Sequence, residues 1–506
     1  MERAFAAPYE PTPALGALTS ALDASDWVTV VSTMDAHWAE VWYAVDPADL
    51  RTVLSTMPAE HVAQMTQARF LLDVSGLSSE VSRPAADVDA VTHVEFAAQR
   101  IADLRLQGKP LEALKVAERF NASVLERRGR LVDTSEGKAA LWSVQVGISA
   151  LLAGELQTAE GAFLSATEAR RPARFPFVRR EAAAKLALTK ALAAQPDAAR
   201  EWAERARSLP RTASWVEPMI DDSLWLTDYL LAVDALDLER AEAMRRERPS
   251  PLEHLEFWGV ALQAHVRHLA LTGRNGQAIA LCDAMDASGL PMTGSDGWLA
   301  QMSSDARLHA LSDGDRTIRL PRTAEAVLAQ RVGAFVDGHL PEVVVPLPDL
   351  VHVPRSQRAE LSLRLLRAQA FHGLEPTEAT RQDVLEVLTE IADRGLFSIL
   401  RNLSTDTLAS LTATDEAVHL AELVRQHDLP LLSVQPVAST PLTPTEVTVL
   451  EHLSAGLSRQ QIADVLVVSL STVKTHLRTA YRKLGANNRS DAVAALERLQ
   501  VGSRRS

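Results

Sequence analysis

From about Asp87 to Asp428, apolar residues recur three and four positions apart, with short polar turns between the runs. That spacing gathers them on one face of a helix of 3.6 residues per turn, so the pattern predicts helix after helix. Before it, from about Leu18 to Ser79, shorter helical patterns alternate with the breakers DASDW, DPAD and MPAEH. Residues 1–15 are rich in proline and alanine and predict a disordered end. The last stretch, 443–499, divides into four short helical patterns. In its third, Val473, Leu477, Ala480, Tyr481 and Leu484 share the face expected to meet the core, while Lys474, Thr475, Arg478 and Arg482 form another stripe.

Three segments of the long helical region place an alanine five residues after a glycine: Gly108 with Ala113, Gly154 with Ala159 and Gly273 with Ala278. Glycine suits the left-handed residue that ends a helix, and a small alanine lets the next helix pack closely. This resembles the turn of a tetratricopeptide repeat. The separations, 46 and 119 residues, make the array degenerate. A generic all-α domain with ordinary helical hairpins is the alternative reading.

Composition points the same way. Alanine and leucine dominate, against 4 Tyr and 11 Phe, and these are helix formers rather than strand formers. The expected fold class is all-α. A single cysteine, Cys282, excludes a disulfide framework and any zinc site built on paired thiolates. No apolar run is long enough for a membrane-spanning helix, and the N-terminus lacks a secretory pattern, so the expected location is the cytoplasm. Seven lysines among 52 basic residues suggest a GC-rich bacterial genome.

Four prolines fall within 428–444, the mark of an extended linker. Beyond it the charge reverses. Residues 441–506 carry a net +4, while the rest of a chain of net charge -13 carries -17. The opposite signs predict an attraction that salt would screen; the alternative is that the acidity only keeps a large protein soluble.

The caps of the C-terminal segment are unusually clear. Thr443, Pro444 and Glu446 make a capping box with proline at the first helical position. Gly456 ends that helix, Ser458 with Gln461 opens the second, Ser469 caps the third, Gly485 stops it, and Asn488 with Asp491 opens the fourth. Two helices joined by a tight turn, the second with a basic outer face, fit a helix-turn-helix. LTPTE, VLEHLSAGLS, QIADVL, VSLSTVKTHL, RKLG and NRSDAVAA together resemble the LuxR-type helix-turn-helix domain of bacterial transcription regulators, over residues 442–496. The chain departs from the family at Thr445, where arginine is usual, at Gln461, where glutamate is usual, and at Ala480, where a bulky aliphatic is common. The first change removes a phosphate or salt-bridge contact. SDWVTVVSTMDAHWAEVWYAVDPADLRTVLSTMPAEH resembles the start of the helical region in large LuxR-type regulators of the MalT kind, which also carry an ATPase module. No GxxxxGK[ST] occurs here, and no phosphate-cradling loop or cofactor is expected.

The resemblance implies that Lys474, Thr475 and Arg478 face bases in the major groove, and that Ser471, Thr472, Arg482 and Lys483 hold phosphates. It puts the dimer contact on the fourth helix, through Val493 and Leu496, which implies an inverted-repeat operator on double-stranded DNA. The expected organisation is an N-terminal helical segment (1–85), a repeat-like sensor or interaction domain (86–428), a Pro-rich linker (429–442) and the helix-turn-helix domain (443–506). Such a regulator implies a small-molecule or protein effector and RNA polymerase as further partners. A helical scaffold with non-specific DNA binding is the alternative. His265 and His268, with His254 and Glu256 upstream, are metal candidates or packing residues; Trp27, Trp38 and Trp42 are pocket-lining candidates or helix packing. No nucleophile–base set appears, so no enzymatic activity is expected.

Overall fold

The structure, a computed structural model, describes residues 13–64, 94–128, 138–168, 175, 177–212, 214–248, 250–288, 324–345, 357–411, 415–433, 443–466, 468, 470, 472–474, 476–477 and 480. All regular elements among them are helical, with one isolated bridge between Ser404 and Leu432. They divide into two compact units, one drawn from Met1–Val327, Asp349–Leu361 and Glu390–Ile399, the other from Leu328–Pro348, Ser362–Thr389 and Leu400–Ser506.

The first unit begins with α1 (Pro13–Asp23), α2 (Trp27–Ala36), α3 (Trp38–Ala44), α4 (Pro47–Thr56) and α5 (Ala59–Gln64). The sequence's breakers act as caps here. The Asp26 carboxylate accepts from the Thr29 backbone N–H at 3.2 Å, and the Asp46 carboxylate accepts from that of Ala48 at 2.7 Å.

The array follows: α6 (Val94–Leu106), α7 (Pro110–Arg128), α8 (Lys138–Ala153), α9 (Leu156–Thr167), α10 (Phe177–Leu192), α11 (Pro196–Ser208), α12 (Glu217–Asp234), α13 (Leu238–Arg246), α14 (Trp258–Leu271) and α15 (Asn275–Ala287). Each even-numbered helix packs on the odd-numbered one after it, and successive even-numbered helices pack on one another. Burial separates the two sets. Fourteen of the sixteen residues of α10 are buried, as in a helix surrounded on all sides, whereas α11 buries only the stripe Ala199, Ala203 and Ala206. The even helices are inner and the odd ones outer.

One turn builds the hairpins. At Gly108, Gly154, Ala194, Leu236 and Gly273 the backbone is left-handed, with φ of 73°, 81°, 58°, 59° and 69°. After each, the next residue's N–H donates five positions back, as in Lys109 to Leu104 at 2.8 Å and Gln195 to Lys190 at 2.9 Å. This is the Schellman closure, which satisfies a carbonyl left open at a helix end. Five residues on, Ala113, Ala159, Ala199, Ala241 and Ala278 are wholly buried. The glycine rule found three of these turns. The other two lie in the 119-residue gap and use Ala194 and Leu236, so the period was hidden by residue choice. Close approach has a second cause in α8: a Cβ at Gly147 would sit 2.5 Å from the Phe163 ring of α9.

A polar clasp closes the first unit. Arg358 donates from Nε to Asp234 at 2.9 Å and from Nη2 to the Ala191 carbonyl at 2.8 Å, and Ser398 donates to Asp234 at 2.8 Å. The guanidinium lies against the carbonyl ends of α10 and α12, where a helix dipole favours positive charge.

The second unit draws on α16 (Ala324–Val336), α17 (Leu340–Val344), α18 (Gln357–Leu374) and α19 (Glu378–Asp393), then holds α20 (Thr405–Leu411), α21 (Asp415–Gln426), α22 (Pro444–Ser454) and α23 (Arg459–Leu466). The same turn recurs at Gly338. Gln369 of α18 pins the loop before α20, donating to the Asn402 carbonyl at 2.8 Å and accepting from the Ser404 N–H at 2.7 Å.

Candidate nucleic-acid interface

The C-terminal helices are set by their ends. Thr443 and Glu446 form both bonds of the capping box: the Thr443 N–H donates to Glu446 Oε2 at 2.7 Å, and the Glu446 N–H donates to Thr443 Oγ1 at 3.3 Å. A cap of this kind contributes about 1 kcal/mol. Gly456, with φ of 95°, turns the chain after α22, and the Leu457 N–H reaches back to the His452 carbonyl at 3.2 Å. A second capping box opens α23, with Ser458 N–H to Gln461 Oε1 at 2.8 Å and Gln461 N–H to Ser458 Oγ at 3.3 Å. Glutamine makes the reciprocal bond as glutamate would, so the departure at Gln461 leaves the cap intact. After α23 the Val468 N–H donates to the Ala463 carbonyl at 3.0 Å, which closes the tight turn.

The described residues from Leu470 to Ala480 are helical. Val473, Leu477 and Ala480 are buried, in one cluster with Val449, Leu450 and Leu453 of α22 and Ile462 and Ala463 of α23. Leu457 and Leu466 pack on its edge. The spacing had placed these three on the core face. Ala480, small where the family is bulky, is fully enclosed. Lys474 follows Val473 by one residue, about 100° around the helix, and is exposed. Thr472 is half-buried near the helix start. The acidic groups nearby are held elsewhere: Glu446 is buried in its capping box, and Asp464 accepts from Gln460 at 3.1 Å. Ser469, Ser471, Thr475, Arg478, Tyr481, Arg482, Lys483, Leu484, Gly485, Asn488, Asp491, Val493 and Leu496 lie outside the described residues.

The other candidates separate. His265 and His268 are buried in α14, and their rings turn to protein partners. His265 Nδ1 bonds the Ala261 carbonyl at 2.8 Å, and His268 Nδ1 lies 2.9 Å from the Tyr229 hydroxyl. Burial holds both rings well below the ordinary histidine range, at about 3 for His265 and about 4 for His268. His254 is exposed, and Glu256 points instead to Lys185 at 2.9 Å, so the four do not converge. Trp27 is half-buried at the start of α2; the side chains of Trp38 and Trp42 are outside the described residues.

Sequence reasoning missed a buried ionic centre in the array. Lys185 of α10 has no exposed surface and lies 3.3 Å from Glu181 and 2.9 Å from Glu256. Burial pulls its ammonium down, but Glu256 and Glu181 outweigh that, and it stays above the ordinary lysine value. The only local signal was Glu181 four residues before Lys185, the spacing of a common surface pair.

Residues 440–496 match the family described as bacterial regulatory proteins, luxR family. The HTH-type transcriptional regulator MalT of Yersinia enterocolitica is 33% identical over 115 residues, which is 23% of this chain and 12% of that protein. The chain therefore spans about an eighth of the length of that curated relative. No solved structure matches the chain. No helix among the described residues is long and apolar enough to cross a membrane. A capped pair of helices, a tight turn and a third helix anchored by Val473 and Leu477 with Lys474 outward thus coincide with the family match, and the C-terminal part of this chain is a helix-turn-helix domain of the LuxR type.

Proposed function

We propose that the chain is a sequence-specific, DNA-binding transcription regulator of the cytoplasm, without catalytic activity, whose helical region senses a small molecule or a protein partner. The supporting observation is the two-faced third helix of a LuxR-type domain, buried through Val473, Leu477 and Ala480 and exposed at Lys474. In this reading Lys474, Thr475 and Arg478 read base edges, where Lys and Arg donate to guanine O6 and N7. Ser471, Thr472, Arg482 and Lys483 hold phosphates and fix the register. Val493 and Leu496 join two copies on an inverted-repeat operator, and RNA polymerase is the partner through which binding acts.

Mapping the chain's genomic binding sites yields the operator. Replacing Arg478 with alanine is then expected to cost about 1–3 kcal/mol at one operator position and to relax preference there. Equal operator binding by the unaltered chain and by a Lys474→Ala, Arg478→Ala double variant overturns the base-reading assignment. A regulator prefers its operator over random DNA by roughly 10³-fold or more, which a non-specific scaffold does not.

A further inference from the structure

The N-terminal helices meet the array through one tyrosine. Tyr43, the last residue but one of α3, points its ring at an aromatic cleft. The ring lies 5.0 Å from that of Phe177 on α10 and 6.0 Å from that of Phe175. The Trp215 ring, just before α12, is parallel to it within 7° at 6.4 Å. Polar groups complete the seat. Gln145 Nε2 of α8 donates to the Tyr43 hydroxyl at 3.4 Å. The Gln145 amide is oriented by Arg105 of α6, whose Nη2 donates to Oε1 at 2.7 Å, so the N–H end is the one presented to the ring. Ser214 donates to the main-chain carbonyl of Tyr43 at 2.6 Å. That carbonyl is open because Pro47, four residues on, has no N–H to give it. The cleft therefore holds a tyrosine by its ring, its hydroxyl and its main chain. A phenylalanine there would leave the buried Gln145 donor unpaired.

What fills the cleft is separable from what builds it. Gln145, Phe175, Phe177 and Ser214 are buried, whereas Tyr43 is half-buried. Helices α1, α2, α3 and α5 pack on one another, and Leu18, Val30, Met34 and Val41 within them are buried. Among the described residues, none of α1–α5 packs along a helix of the array. Withdrawing Tyr43 leaves those contacts in place. Stacked hairpins present their inner helices as a concave binding surface, and here the chain's own tyrosine takes part of it, against α8 and α10.

We infer that the cleft of Gln145, Phe175, Phe177, Ser214 and Trp215 is a docking site for a tyrosine-bearing segment of a protein partner, which enters in exchange for Tyr43. The inference rests on the sensor part of the function proposed above and gives its ligand a chemical class. Its test is peptide binding without DNA, so its failure leaves the DNA-reading proposal standing, and operator binding by the unaltered chain checks that proposal separately.

The probe is a fluorescein-labelled peptide of residues 34–48, titrated by anisotropy against the full chain, beside a second peptide carrying Tyr43→Phe. A full chain with Tyr43→Ala has an empty cleft and is expected to bind the first peptide roughly ten-fold or more tightly than the unaltered chain, whose cleft is occupied. The Tyr43→Phe peptide is expected to bind that variant about five-fold more weakly. Equal binding by the two chains, binding by neither, or equal binding of the two peptides overturns the inference. Hydrogen exchange of the unaltered chain with excess peptide decides the matter even if the variant does not fold. Faster exchange over residues 13–64 supports the exchange of Tyr43, and an unchanged pattern overturns it. A concentration-dependent dimer of the unaltered chain that Tyr43→Ala abolishes would put a second copy's tyrosine in the cleft and overturn the partner.

Discussion

The interior of the helical array and the core of the C-terminal domain are built on opposite plans. Among the described residues the C-terminal core is an apolar cluster of eight buried side chains, and Lys474 on the same helix as three of them is exposed. The array interior buries Arg180, Glu181, Lys185, Glu217, Asp222, Asp234, His265 and His268 among its apolar residues. The contrast shows that amphipathic pattern locates a core only where a helix has one buried face. A helix enclosed on all sides must take its polar residues inside, and they persist only when paired.

The sharpest way to break this comparison is to remove one partner of an ion pair inside the array. Arg180 donates to Glu217, and to Asp221 at 2.7 Å, while Glu217 also accepts from Thr212 at 2.8 Å. Glu217→Ala is expected to cost up to about 3–5 kcal/mol, because it takes away the buried carboxylate of a buried guanidinium and leaves it only the part-exposed Asp221, whereas replacing Arg180 and Glu217 together with methionine and leucine is expected to cost far less. Denaturant melts of the two variants measure the difference, and equal losses would show that packing, not charge, holds this site.

In the C-terminal core the corresponding change is Leu477→Ala, expected to cost about 2–5 kcal/mol by opening a cavity. Operator binding is then lost through unfolding. Lys474→Ala, one helical stripe away, is expected to leave the melt within about 0.5 kcal/mol and to weaken only DNA binding. A Lys474 variant that melts early would place this residue in the fold rather than at the interface.

Acid should find the array first. Folded His265 and His268 stay neutral down to about 3 and about 4, while an unfolded histidine takes up a proton below about 6.5. The unfolded state therefore binds more protons in that window. The stabilisation is complete above it and is lost as the pH falls, at up to about 1.4 kcal/mol per pH unit for each ring. Chemical denaturation between pH 6.5 and 5 is expected to show this slope, reduced in His265→Gln. An unchanged slope in that variant would assign the acid sensitivity to other groups.

The smallest effect tests the shared turn. Gly273 has φ of 69° and open space where a Cβ would stand, so Gly273→Ala is expected to cost about 1–2 kcal/mol through backbone strain alone. Ala194 already bears that strain at φ of 58°. Ala194→Gly relieves it but forfeits a buried methyl and gains chain entropy in the unfolded state, so its net change should be smaller than that of Gly273→Ala. A thermal melt of each variant makes the comparison.

Local chemistry in the sequence determined a good deal about this protein. The all-α class follows from its alanine and leucine, three array turns from their glycines, and both C-terminal capping boxes from hydroxyl and Glu or Gln residues three apart. The buried face of the third helix was legible because Val473, Leu477 and Ala480 repeat at helical spacing against polar neighbours. These features depend on residues within about one helical turn of each other, which is what a linear pattern records. Tertiary structure alone decided the rest. Leu236 can occupy a left-handed turn because its buried side chain and the packing of α12 on α13 hold it there. Glu181 and Lys185 read as a surface pair until α12, packed on α10, and Glu256 close over them, and Arg358 meets Asp234 across 124 residues of chain. Whether a polar side chain is solvated or buried depends on which other helices enclose it, and no spacing along one helix contains that information.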